Sequence, residues 1–138
     1  MTIKDNQYGL WDENGAKGTV GRLQSTVLDN FGGLNCDGDG TMPSSGGNNY
    51  STDNSCALSG FQDTQGTGLN AMLGPLTTDP AVFSQFHMPL AGSPLIDKGG
   101  PGCSPTDQRY APRTDACDIG AIEFGALLPR VYMPLILR

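Results

Sequence analysis

The sequence predicts an all-β chain, a β-solenoid in which short strand-and-turn coils stack in parallel. Three observations carry that reading. First, residues 2–10, TIKDNQYGL, return as residues 26–34, TVLDNFGGL, with five identities and one Ile/Val exchange in nine positions at an offset of 24 residues. A unit this short cannot bury its own apolar face and must stack on a neighbour, and a stable solenoid needs about three such units. Second, each copy places a β-branched residue before Asp-Asn and then Gly, which is a strand running into a turn. Third, the 138 residues include 20 Gly and 10 Pro beside abundant Asn, Asp, Ser and Thr. That composition fills turns and starves helices.

The elements follow in order along one domain. Residues 1–34 are the two coils, with Val20, Leu23, Val27 and Leu28 supplying core contacts and Trp11 near a coil edge or cap. Residues 35–125 form a loop-rich cap stapled by disulfides. Its first part, NCDGDGT and PSSGGNNYSTDNSCALSG, leaves room only for short strands. Its second part sets the apolar clusters AMLGPL, AVFSQFHMPL and SPLID between Pro and Gly. These clusters, with the cysteines, argue against disorder. Residues 126–138, ALLPRVYMPLILR, are an apolar tail in which Pro129 and Pro134 bar a regular helix. The tail is too short for a helix that crosses a membrane. It is expected to dock along a strand edge or to project towards a partner.

Charge and cysteines bound the setting. A net charge of −6 repels phosphate backbones, which argues against nucleic acid as a partner. Cys36, Cys56, Cys103 and Cys117 form no CxxC pair, so zinc-site spacing is absent. Four cysteines allow three connectivities. The sequential one, Cys36–Cys56 and Cys103–Cys117, closes two short loops in turn-rich sequence, each closure worth about 3 kcal/mol in the chain-entropy view. Disulfides imply an oxidising compartment, extracellular or at the cell surface. Residues 2–6 carry no apolar signal segment, and the chain opens inside a repeat. The expectation is that the exported protein has further sequence upstream.

Few residues could carry chemistry. Asp37 and Asp39 in NCDGDGT are weak candidates for calcium, but Met42 and Pro43 follow where further oxygen ligands are needed. The expectation there is a tight Asp-Gly turn closed by Cys36, and no cofactor. Asp5 and Asp29, one coil apart, could stack about 4.8 Å apart on one edge as a carboxylate pair. With no basic residue expected beside them, turn capping explains both. His87, between Phe86 and Met88, reads as a packed or edge histidine without an oriented partner. No catalytic residue is assigned. Asp97, Asp107, Arg109, Arg113, Asp115, Asp118 and Glu123 make a dense charged set that reads as an Arg–carboxylate network fastening the loop to strands at SPLID and DIGA.

Residues 46–125 resemble the C-terminal module of bacterial right-handed parallel β-helix surface proteins, the choice-of-anchor Q domain. The likeness rests on GGNNYSTDNSC (residues 46–56), NAMLGPL (70–76), GSPLIDKG (92–99), TDQR (106–109), Arg113 and CDIGAIE (117–123). STVLDN before Cys36 is similar to the last coil preceding that module. Tyr110 stands where the family usually has glycine, and Ile122 where an aromatic is common. The motif order implies a buried Arg109 that contacts Asp97 or Asp118.

The resemblance implies the last coils of a right-handed parallel β-helix, followed by a loop-rich cap, from an exported bacterial protein. The fragment's own role would be structural, and the parent an adhesin or a carbohydrate-contacting surface protein. Partners would be upstream β-helix coils, the cell envelope, a polysaccharide or copies of itself. Two other classes stand beside this one. One is the C-terminal part of a polysaccharide lyase or hydrolase. The other is a filament or envelope subunit that uses the tail as a donor strand.

Overall fold

The computed structural model describes residues 1–12, 21–30, 32–38, 43–79, 84–113 and 116–128. Among the described residues the chain is all-β, with ten short strands and no helix. These are β1 (Thr2–Lys4), β2 (Leu10–Asp12), β3 (Arg22–Leu23), β4 (Val27–Asp29), β5 (Cys36–Gly38), β6 (Ser44–Ser45), β7 (Tyr50–Ser51), β8 (Thr64–Gln65), β9 (Leu73–Asp79) and β10 (Ser84–Pro89).

The first eight strands lie in three small parallel sheets, ordered β1-β4-β7-β8, β2-β5 and β3-β6. From β1 to β7 the chain visits the three sheets in rotation, and β8 then adds to β7. Parallel pairing therefore continues through Gln65, well past the boundary at residue 34 that the repeat alone suggests. β9 and β10 form a separate antiparallel hairpin.

The strand register departs from the repeat alignment by one residue. β1 pairs with β4 as Thr2↔Val27, Ile3↔Leu28 and Lys4↔Asp29. Asp5 is the extra residue. Its φ of 59° lies in the left-handed region, and the chain regains step at Asn6, whose backbone and side-chain N–H groups both donate to Asn30 Oδ1 at 3.1 Å. Asp and Asn tolerate that conformation better than other non-glycine residues.

The corners entering the first sheet share one conformation. Ser25, Asn48 and Gln62 all have positive φ, each two residues before a strand of that sheet. The next residue in each turn then joins a polar ladder. Asn49, fully buried, accepts from Thr26 N–H at 3.1 Å, and its own amide donates to Leu23 O at 3.1 Å and to Asp63 Oδ1 at 3.0 Å. Asp63 also accepts from Asn49 N–H at 2.9 Å and from the Ser45 hydroxyl. Thr26 and Asn49 are buried at these turns, and the side chains satisfy the backbone groups left there.

Val27 and Leu28 show why β4 reads as a continuous apolar run. Successive strand side chains point to opposite faces. Leu28 packs inward with Leu23, Cys36, Cys56 and Leu58, joined by Ile3 and Leu10. Val27 packs outward with Tyr50, Ala71, Leu95 and Ile119. The C-terminal segment thus covers the outer face of the first sheet. Ile119 N–H donates to Leu95 O at 2.9 Å, Gly120 N–H to Ser25 O at 3.0 Å and Ala121 N–H to Thr2 Oγ1 at 3.0 Å. Gly120 has φ 113°, and a Cβ there would sit 2.8 Å from Thr2 Oγ1, so only glycine fits.

Two local expectations are corrected. Cys36–Gly38 is a strand rather than a tight Asp-Gly turn, because it pairs with β2. The SPLID and DIGA segments, expected as strands, run as turns and bends held by side-chain hydrogen bonds. Val20, Asp39, Asp115 and the tail beyond residue 128 lie outside the described residues.

Candidate functional site

The four cysteines pair as Cys36–Cys56 and Cys103–Cys117. The first bond lies in the inner core and ties β5 to the loop after β7. The second links the loop after residue 100 to the C-terminal segment.

The charged set divides into two arginine-centred clusters. Arg109 is buried, and its Nε and Nη2 donate to Asp107 Oδ2 at 3.0 and 2.7 Å. Nη2 also donates to Glu123 O at 2.9 Å, and the guanidinium carbon lies 5.5 Å from the Phe86 ring centroid. Asp107 accepts further from the N–H groups of Arg109, Ala111 and Glu123. The expected partners, Asp97 and Asp118, are corrected to Asp107. Residues 107–110 turn tightly, with Tyr110 N–H on Asp107 O, and this folds the guanidinium back over the carboxylate two positions earlier.

Arg113 centres the second cluster. Nη1 donates to Glu123 Oε2 at 3.0 Å and to Asp118 O at 3.1 Å, and Nη2 to Gly120 O at 2.8 Å. Asp118 is buried and accepts from Asp97 N–H at 2.8 Å and Phe124 N–H at 2.5 Å. Burial raises its pKa, the two N–H donors oppose that rise, and the charges of Glu123 and Asp97 add to it. Asp97 is exposed and contributes its backbone N–H. Each cluster fastens turns together through these hydrogen bonds. A cavity of about 460 Å³ lies beside Arg113, Asp118, Gln108 and Met1. Burial, and after it the charge of Arg113, lowers the Met1 amine to about 6.

The expected carboxylate pair, Asp5 and Asp29, is bridged by Lys4 at the end of β1. Lys4 Nζ sits 3.0 Å from both Asp5 Oδ1 and Asp29 Oδ2. Burial alone would lower the Lys4 pKa, but hydrogen bonds and charge from both carboxylates outweigh it and hold it raised. The ammonium lies between the two carboxylates and pairs with both. His87 lies on the hairpin strand β10, with Nδ1 2.8 Å from Gly74 O and Nε2 4.0 Å from Asp5 Oδ2. His87 thus has an oriented partner in Gly74 O, contrary to expectation, and its Nε2 faces Asp5.

Asp37 is half-buried and accepts from Gly38 N–H at 2.8 Å. Among the described residues no group of three or more His, Cys, Asp or Glu is arranged to hold a metal ion. Sequence reasoning missed one feature. Trp11, expected at a coil edge or cap, is 55% exposed beside Tyr8, their ring centroids 4.8 Å apart and tilted by 60°. The spacing of the two residues, with Gly-Leu between them, carries no recognised signal.

No family model, curated protein or solved structure matches the chain.

Proposed function

We propose that this chain is the terminal part of an exported right-handed parallel β-helix protein, comprising its last coils and a C-terminal cap, with an adhesive or carbohydrate-contacting role outside the cell. The observation that carries the reading is the rotation of strands through three parallel sheets, with one sheet covered on its outer face by the C-terminal segment. In this reading the cap's work is structural. It closes a surface that would otherwise recruit other chains. Two disulfides support an oxidising compartment. The Arg109 and Arg113 clusters serve as ties, and the Lys4-bridged carboxylates as coil fasteners.

Labelling intact native cells with a membrane-impermeant amine reagent, then mapping peptides without reduction, tests the setting. A labelled protein carrying both disulfides is expected. An unlabelled protein with four free thiols would overturn the export reading. Incubation with pectate, alginate and chitin oligomers tests the non-catalytic role. No turnover is expected, and turnover abolished by Asp29→Asn would favour a lyase or hydrolase instead.

A further inference from the structure

β2 and β5 pair with Leu10 opposite Cys36 and Trp11 opposite Asp37. Leu10 and Cys36 belong to the inner core. Side chains alternate along a strand, so Trp11 and Asp37 project from the outer face of this sheet. The first sheet has its outer face covered by Leu95 and Ile119, whereas Trp11 remains 55% exposed, with Tyr8 at 42% packed against it. Gly33 lets the second coil pass beneath Tyr8, since a Cβ there would meet Gln7 O at 1.6 Å and lie 3.7 Å from the Tyr8 ring. The result is a built ledge of two packed aromatic rings with a carboxylate beside them.

We propose that the Tyr8–Trp11 ledge binds pyranose units of an uncharged polysaccharide, with the rings stacking on the apolar C–H face of the sugar and Asp37 accepting from its hydroxyls. Two arguments select this occupant. The first is area. A large aromatic side chain offers about 150–250 Å², so the exposed parts of Tyr8 and Trp11 supply roughly 200 Å². A stable protein partner needs about 800 Å² on each side, whereas one or two sugar rings need far less. The second is charge. A carboxylate beside the rings and a net charge of −6 repel uronates and phosphates but accept neutral hydroxyl groups. Trp and Tyr suit the task because they present rigid amphipathic area at low conformational cost. The proposal gives a ligand class to the carbohydrate-contacting role and rests on that reading only for where the ligand is met. Binding in solution and display on cells are measured separately, so either can fail alone.

Trp11 is the chain's single tryptophan, so its emission reports this site alone. The test titrates the intact, disulfide-bonded chain with cellohexaose, xylohexaose, mannohexaose, chitohexaose and hexagalacturonate. At least one neutral oligomer should shift the emission saturably, and hexagalacturonate should not. Tyr8→Ala should weaken that response about tenfold, and Tyr8→Phe should retain it. Trp11→Ala should abolish retardation in native gels cast with the matching polysaccharide, with an unchanged melting temperature. Silence from all four neutral oligomers would overturn the proposal. So would preference for hexagalacturonate, or gel retardation that survives Trp11→Ala. Self-association on sedimentation, lost in Trp11→Ala, would assign the ledge to a protein contact instead.

Discussion

Asp107 is 5% exposed and serves five donors through two oxygens, counting the Arg109 guanidinium twice. Removing the guanidinium leaves that carboxylate buried without its counter-charge, which costs more than the pair itself contributes. Arg109→Met is therefore expected to lower stability by about 3 kcal/mol in denaturant unfolding, and an unchanged midpoint would refute the tie. Tyr110, next along, holds φ 65° with its ring 69% exposed. The strain of a non-glycine residue there is not repaid by packing. Tyr110→Gly should raise the melting temperature, by about 1 kcal/mol of strain relieved less the entropy glycine adds to the unfolded chain. Asp118 gives a pH signature. Its folded pKa lies above the ordinary 3.8, mainly through burial. Between those two values the folded chain binds more protons than the unfolded one, so this residue's contribution is fully present below the unfolded value and declines as pH rises through the folded one. A carboxyl titration followed by NMR should place Asp118 above 3.8, and a midpoint at or below it would contradict the burial argument.

The short parallel strands are joined at their corners as much as along their ladders. β3, β6, β7 and β8 have two residues each, too few for ladders of backbone hydrogen bonds to fix alone. Asn49 supplies what they lack by serving Thr26, Leu23 and Asp63 across three turns. Asn49→Ala leaves the buried Thr26 N–H without its acceptor, at a cost of about 1–3 kcal/mol, and takes one donor from Asp63. We expect a loss of at least about 2 kcal/mol in urea unfolding, and faster amide exchange at Thr26. Exchange at Thr26 equal to that of the parent chain would show that the ladder is dispensable. Strand direction and turn chemistry were legible in the repeat, because β-branched residues followed by Asp-Asn specify both. The register was not. Asp5 consumes one residue in the left-handed region, while Asp29, its aligned counterpart, stays in the strand. Nothing in the two short copies distinguishes these states, since Asp-Asn suits either.

Across the whole molecule, the disulfide pairing was legible in the sequence and the arginine pairing was not. Both disulfides close short loops, where spacing restricts the partners. Arg109 defeated the same logic, because a tight turn brought Asp107 nearer than the acidic residues of more distant segments. The Tyr8–Trp11 ledge stayed hidden for a different reason: the sequence places Trp11 at an edge, but which sheet receives a cover, and so which rings stay exposed together, depends on the folded chain.

The contact between Ala121 and Thr2 spans 119 positions of the chain. A ribosome delivers Thr2 first and Ala121 more than a hundred residues later. Throughout that interval Val27 and Tyr50 face outward without Leu95 and Ile119 to shield them. Long-range closure of this kind slows folding and lengthens exposure to unintended pairing. A chain truncated before residue 117 would lack both the second disulfide and this closing layer. It would carry a permanent adhesive strip, and quality-control proteases would meet it in the state that the complete chain only passes through.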